Sequence, residues 1–176
     1  CNASPAADSV PALITLNAEC IVVGPQGQRS IPVESFVTGP AENALTDGEL
    51  LVELRIPRPP PRSADAYLRF IPRTEMAIAE VGVGVNLSLD GKGVCTAARV
   101  ALGAVAPTAI LVPEAAAALI GTSIDEQALL RAADASAAAA RPIDDKRGTI
   151  AHRRKVAGVL TRRAAAIAAE RARERS

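Results

Sequence analysis

The chain has 176 residues, 49% of them hydrophobic but only 2% aromatic, and a formal net charge of +1. That length holds one ordinary domain or two small ones. The near-zero charge and the scarcity of stacking rings exclude a nucleic-acid binder, and no apolar run is long enough to span a bilayer.

The first segment reads as a helix: Asp8 or Ser9 can cap it, Pro11 suits its first turn, and Leu13, Leu16 and Asn17 follow at helical spacing. Ile21 to Val23 is a short apolar strand. Gly24-Pro25-Gln26-Gly27 is a turn, and Arg29 to Val33 is the return strand of a hairpin. Glu34 to Leu45 reads as loop. Leu50, Val52, Leu54 and Ile56 alternate with Leu51, Glu53 and Arg55, the pattern of a half-buried strand. It stops at Pro57-Arg58-Pro59-Pro60-Pro61, which cannot continue a ladder and marks the boundary between residues 1–61 and 62–176.

A strand at Tyr67 to Ile71 opens the second region. Val81, Val83, Val85, Leu87 and Leu89 then alternate with Gly82, Gly84, Asn86, Ser88 and Asp90, which predicts a strand with one buried face. The two glycines on its outer face imply close approach of another backbone or a helix. Asp90-Gly91-Lys92-Gly93 is a hairpin turn, and Val94 to Ala104 alternates again. The rest is helical: Pro113 in a first turn, Gly121 as a stop, a capping box from Ser123 to Glu126, and a helix to about Ala140. Beyond the polar connection from Asp144 to Gly148, Val156, Val159, Leu160, Ala164 and Ile167 form one stripe, and the charged tail from Glu170 frays. The fold class is α+β: a helix, a hairpin and a strand, then a three-stranded antiparallel sheet with three helices.

Standard catalytic signatures are missing, so no catalytic or metal-binding residue is assigned. His152 stands alone beside Arg153, Arg154 and Lys155, which reads as a solvated or packing face of the last helix. Cys1, Cys20 and Cys95 are far apart and form no C-x-x-C pair, so neither a disulfide framework nor a cysteine metal site is expected, and a reducing cytoplasm fits. The opening Cys1-Asn2-Ala3-Ser4-Pro5 lacks a Met and reads as the interior of a longer protein. The small polar residues from Asn2 to Ser9 suit close approach to a ligand; equally, Asp8 is placed to cap the helix, and spacing alone favours the cap.

The stretch from Cys1 to Ser9 resembles the segment that follows the Gly-Gly-Asn turn in the FAD-binding subunits of molybdenum hydroxylases, the xanthine dehydrogenase / carbon monoxide dehydrogenase family. Gly48-Glu49-Leu50-Leu51 with Ile56-Pro57, Ile78-Ala79-Glu80-Val81-Gly82-Val83, Leu102-Gly103-Ala104-Val105-Ala106-Pro107-Thr108 and Arg141-Pro142-Ile143-Asp144-Asp145 with Arg153-Arg154 are similar to later family segments, in the same order. The resemblance implies the C-terminal part of a FAD-binding PCMH-type α/β subdomain in residues 1–61. For residues 62–176 it implies a CO dehydrogenase flavoprotein C-terminal-like domain, the three-stranded sheet with a three-helix bundle. It implies that Asn2, Ala3, Ser4, Ala7 and Asp8 lie along FAD, that Leu51 packs near the flavin ring with Glu49 beside it, and that Arg69 replaces a basic residue at the flavin edge.

The role implied is electron transfer from the [2Fe–2S] clusters of a small subunit, through FAD, to an external acceptor. The molybdenum cofactor sits on a large subunit. Pro72 and Ala77 depart from the family's basic and acidic positions before Ile78. The family's two glycine-rich FAD loops would precede Cys1, so this chain alone is expected to hold FAD weakly until the missing N-terminal FAD-binding segment is supplied. The competing expectation is a non-catalytic structural module that docks partner subunits.

Overall fold

The computed structural model describes residues 3–73 and 77–175. In chain order the elements are α1 (Ser9–Thr15), β1 (Glu19–Gly24), β2 (Gly27–Pro32), α2 (Val33–Phe36), β3 (Val37–Gly39), β4 (Glu42–Asn43) and β5 (Leu50–Arg55). Then follow β6 (Ser63–Phe70), β7 (Val81–Leu89), β8 (Cys95–Gly103), β9 (Ile110–Leu111), α3 (Pro113–Leu119), α4 (Glu126–Ala139) and α5 (Ile150–Glu174). This is the expected α+β class. It contains one three-stranded sheet, β2-β1-β5, one small ribbon, β3-β4, and one four-stranded antiparallel sheet, β6-β7-β8-β9.

Helix α1 ends where Asn17 turns into the left-handed region at φ 52°. The Ala18 N–H then donates to the Leu13 carbonyl at 3.0 Å and the Asn17 N–H to the Ile14 carbonyl at 3.2 Å. That is a Schellman closure with asparagine in the place usually taken by glycine. The β1–β2 hairpin closes over Pro25-Gln26, with Gly24 facing Gly27. The segment expected to be loop from Glu34 to Leu45 instead holds α2 and the β3-β4 ribbon, because Val33 and Phe36 find a small apolar core with Ile14 and Val22.

The second sheet is a slab covered on both faces. Val83, Val85, Val100 and Leu102 share a core with Ala157, Leu160 and Ala164 of α5, while Ala101 joins Ile14 in the other core. Alternation along a strand therefore sends odd and even side chains to two different helical layers. The expectation of one buried face for β7 is corrected: all of Val81, Gly82, Val83, Gly84 and Val85 are buried. Helix α1, from the first region, lies on β7 and β8 and covers the glycine face. The sheet also gains a fourth strand, β9, after Ala104 turns at φ 64°.

The helical half follows the sequence with three corrections. The α4 cap is Asp125, whose carboxylate accepts from the Ala128 N–H at 2.9 Å, and not Ser123; Ile124 reverses the chain at φ 59° just before it. The stripe on α5 is centred on Ala157, Leu160, Thr161, Ala164 and Ala168, which leaves Val159 41% exposed. The tail does not fray: α5 continues to Glu174, Ala172 is fully buried, and Arg171 donates to the Asp65 carbonyl at 2.7 Å. Among the described residues no helix is long and apolar enough to cross a membrane. Cys20 and Cys95 are free and buried, and Cys1 lies outside the described residues.

Candidate functional site

Asp8 stands at the start of α1, yet its side chain makes no capping hydrogen bond. That corrects the local reading. Its backbone is already helical, at φ −57° and ψ −36°, and its carboxylate turns to the second sheet. Tyr67 Oη donates to Asp8 Oδ1 at 2.9 Å, and Arg69 forms an ion pair with Asp8 Oδ2. Tyr67 and Arg69 are two residues apart on β6 and so point to the same side. Burial, and then the hydrogen bond and charge of Asp8, push the Tyr67 phenol well above the usual tyrosine range, against an opposing pull from Arg69. The phenol is therefore a fixed hydrogen-bond donor near neutral pH. The Asp8 and Arg69 side chains keep 39% and 42% exposure, so both can still meet a ligand.

Tyr67 was missed in the sequence, where only Arg69 was singled out. The period-two rule, applied backwards from Arg69, reaches it. Ala3 is buried with φ 44°, Ser4 Oγ accepts from the Ala6 N–H at 3.3 Å, and the Ala7 N–H donates to the Ser4 carbonyl at 3.2 Å. These bonds make residues 4–7 a tight turn leading into Asp8. Asn2 lies outside the described residues, as do Thr74, Glu75 and Met76 of the stretch before Ile78.

Glu49 and Leu51 belong to a second group. Glu49 accepts two hydrogen bonds from Arg29, both at 2.7 Å, and one from the Thr46 N–H at 2.7 Å. The Arg29 hydrogen bond, helped by Thr46, holds its carboxyl down at about 2. Glu49 is thereby committed to bracing the turn before β5 against β2. Leu51 sits on β5 at 37% exposure. No hydrogen bond or ion pair joins this group to the Asp8 group among the described residues. The expectation that β5 is half-buried is also corrected. All six of its residues are exposed, because among the described residues β5 pairs only with β1 and no element covers either face.

At the same end of the second sheet, Arg153 is buried, contrary to the solvated face expected of the basic cluster. Its guanidinium donates to the Glu80 carbonyl at 2.9 Å and to Asp145 Oδ1 at 2.7 Å. His152 packs edge-on against Phe70, with ring centroids 5.6 Å apart. Beside them Pro5, Ala6, Pro40, Ile78, Pro142 and Arg153 help to line a cleft of about 330 Å³. No group of three His, Cys, Asp or Glu side chains is placed to hold a metal among the described residues.

A flavin ring carries an imide edge, one N–H donor between two carbonyl acceptors. Asp8 and Arg69, a carboxylate beside a guanidinium and both partly open, complement that edge. Asp8 and Arg69 suit the isoalloxazine half of FAD; exposed Leu51 on β5 offers apolar surface in a separate group. Among the described residues no glycine-rich loop opens a helix to cradle the pyrophosphate.

Residues 66–168 match the CO dehydrogenase flavoprotein C-terminal domain, and residues 1–59 match the FAD binding domain in molybdopterin dehydrogenase. The carbon monoxide dehydrogenase medium chain of Afipia carboxidovorans is 34% identical over 171 residues, which cover 97% of this chain and 59% of that protein. A putative xanthine dehydrogenase FAD-binding subunit of Escherichia coli is 32% identical over 111 residues, 62% of this chain and 38% of that protein. Among solved structures, a reconstituted CO dehydrogenase from Oligotropha carboxidovorans superposes with a TM-score of 0.91 at 34% identity, again over 97% of this chain and 59% of that one. Quinoline 2-oxidoreductase from Pseudomonas putida 86 superposes at 0.87 and 31% identity, over 97% of this chain and 59% of that one. The chain thus spans less than two thirds of these relatives, and it belongs to the xanthine dehydrogenase / carbon monoxide dehydrogenase family of FAD-binding subunits, whose flavoprotein C-terminal domain it carries.

Proposed function

We propose that this chain forms the ring-side half of a FAD site in the electron-transfer subunit of a molybdenum hydroxylase. In that role electrons pass from the [2Fe–2S] clusters of an iron–sulfur subunit through FAD to an external acceptor, while the molybdenum-cofactor large subunit oxidises the substrate. The observation that carries the reading is the Asp8 carboxylate, turned away from its own helix and held between Tyr67 and Arg69. FAD, when bound, supplies the electron storage. Asp8 would hold the flavin edge as a hydrogen-bond acceptor and Arg69 as a donor, while Tyr67 keeps Asp8 oriented with a proton it does not release near neutral pH. Leu51 on β5 excludes water from the ring, and Ala3, Ser4 and Ala7 allow close approach. The cleft beside Pro5 and Ala6 gives the acceptor a way in.

Residues 1–61 are then the C-terminal portion of the FAD-binding domain, and residues 62–176, the flavoprotein C-terminal-like domain, reach the same flavin edge through Arg69 on β6. A cytoplasmic location is in keeping with two free, buried cysteines.

The test is FAD retention through gel filtration. The chain supplemented with the upstream segment of a relative should retain FAD and the chain alone should not. Asp8→Asn should cut retention about tenfold or more, the loss of one charge-assisted hydrogen bond. Retention unchanged by Asp8→Asn removes Asp8 from the site.

One observation favours a second reading. Leu50, Val52, Leu54 and Ile56 are each about half exposed or more, as expected of a docking surface. If the completed protein holds no flavin at all, the chain is a scaffold that joins partner subunits.

A further inference from the structure

Three glycines of the second sheet stand where a side chain has no room. A Cβ on Gly84 would meet the Pro11 carbonyl oxygen at 2.8 Å and its carbon at 3.0 Å; one on Gly103 would meet Pro11 Cγ at 2.8 Å; one on Gly82 would meet Tyr67 Oη at 2.5 Å. Non-bonded heavy atoms sit comfortably at about 3.5–4.0 Å. None of the three has a positive φ, so space and not backbone conformation requires glycine at each. The register puts them at one spot. Tyr67 faces Gly84 and Arg69 faces Gly82 across β6–β7, and Gly82 faces Gly103 across β7–β8. Pro11, the residue they receive, is three positions after Asp8 in the first turn of α1.

We propose that Gly84 and Gly103 are positioning residues: by seating Pro11 they set the depth of α1 on the sheet and so hold the Asp8 carboxylate on Tyr67 and Arg69. The Gly84 contact is with backbone, which cannot rotate away, so a methyl group there must lift the helix. Tyr67 Oη and Asp8 Oδ1 are 2.9 Å apart, and a lift of about half an ångström or more takes them to the edge of hydrogen bonding. Gly82 completes the arrangement by leaving room for the phenol itself. The proposal draws on the flavin reading only for its consequence, that the depth of α1 sets how the flavin edge is gripped.

The chain contains one tyrosine and no tryptophan, so the absorbance change on phenol ionisation reports Tyr67 alone. Titration of that absorbance in the 176-residue chain, without flavin, reads the seat of α1 through the burial of the phenol and its Asp8 contact together. In the wild type the phenol should ionise only together with alkaline unfolding. In Gly84→Ala and Gly103→Ala it should ionise in a separate earlier step, at least about one pH unit lower. Pro11→Ala added to Gly103→Ala removes the clashing Cγ and should restore the wild-type titration. Gly91→Ala, where a Cβ meets nothing within 4 Å, should leave it unchanged.

Wild-type titration in folded Gly84→Ala and Gly103→Ala chains would overturn the proposal, as would a failure of Pro11→Ala to restore it. If Gly84→Ala does not fold, the Gly103/Pro11 pair decides. Flavin does not enter this readout, so a failed flavin reading leaves the titration result standing. Equally, a failed seat leaves the effect of Asp8→Asn on FAD retention untouched.

Discussion

Strands β5 and β7 look alike in the sequence and have opposite surroundings in the structure. Both alternate every second residue and both present leucines and valines. Yet β5 is exposed at all six of its positions, while Val81 to Val85 of β7 are all buried. The difference lies in neighbours. Strand β7 has a strand on each side, α5 on one face and α1 on the other; among the described residues β5 has β1 on one edge and no element packed on its faces. Alternation identifies a strand, but burial is decided by what the rest of the chain, or another polypeptide, lays against it. An apolar strand left open in this way is the exposed surface on which the docking reading rests.

The largest expected effect sharpens this contrast. Val85→Asp puts an unpaired charge into a fully buried position and should cost about 4 kcal/mol or more in urea denaturation. Leu54→Asp on β5 should stay within about 0.5 kcal/mol. Equal costs would break the comparison. Next in size, Arg153→Ala should cost about 2–4 kcal/mol, because it strips a buried guanidinium from two carbonyls and from Asp145. Thermal unfolding measures it, and a loss no larger than that of Arg154→Ala would mean that the buried network contributes little.

A smaller effect concerns acid. The Glu49 carboxyl is held at about 2 against an ordinary 4.5, so its contribution is present above about 4.5 and is lost as pH falls toward 2. A carboxylate titration followed by NMR should place its midpoint near 2 in the wild type. Arg29→Ala should return it toward the ordinary range, and a midpoint unmoved by that change would contradict the bridge. Smallest in the isolated chain is Leu54→Ala, within about 0.5 kcal/mol. Its cost should rise to about 1–2 kcal/mol once the upstream segment of a relative is supplied, as newly buried area begins to count. No rise would mean that the upstream segment does not cover Leu54, and would leave that face of β5 to the docking reading.

The elements were largely legible, because period, turn chemistry and caps are local. Asp90 shows this: its carboxylate accepts from the Lys92 and Val94 N–H groups, as a hairpin turn demands. The ribbon at Val37 to Asn43 was not legible, since two strands of three and two residues carry no period. Ser123 was preferred to Asp125 as a cap because the capping-box spacing matched, and the reversal at Ile124 leaves no trace in the pattern. In the candidate site, Asp8 and Arg69 were legible only through family resemblance, and nothing joined them to each other. Tyr67 went unremarked, because its importance comes from Asp8, 59 residues away.

The sequence by itself determined where most of the strands and helices run, that a proline stretch interrupts them where a division is expected, and which family the chain resembles. Each of these depends on neighbours within a few positions or on ordered motifs. Only the tertiary structure decided that α1 crosses the division to lie on β7 and β8, that Asp8 serves Tyr67 and Arg69 and not its own helix, and that β5 stays open. Those outcomes turn on space: a backbone carbonyl and a proline ring fit where Gly84 and Gly103 have no side chain, and among the described residues no element covers the faces of β5.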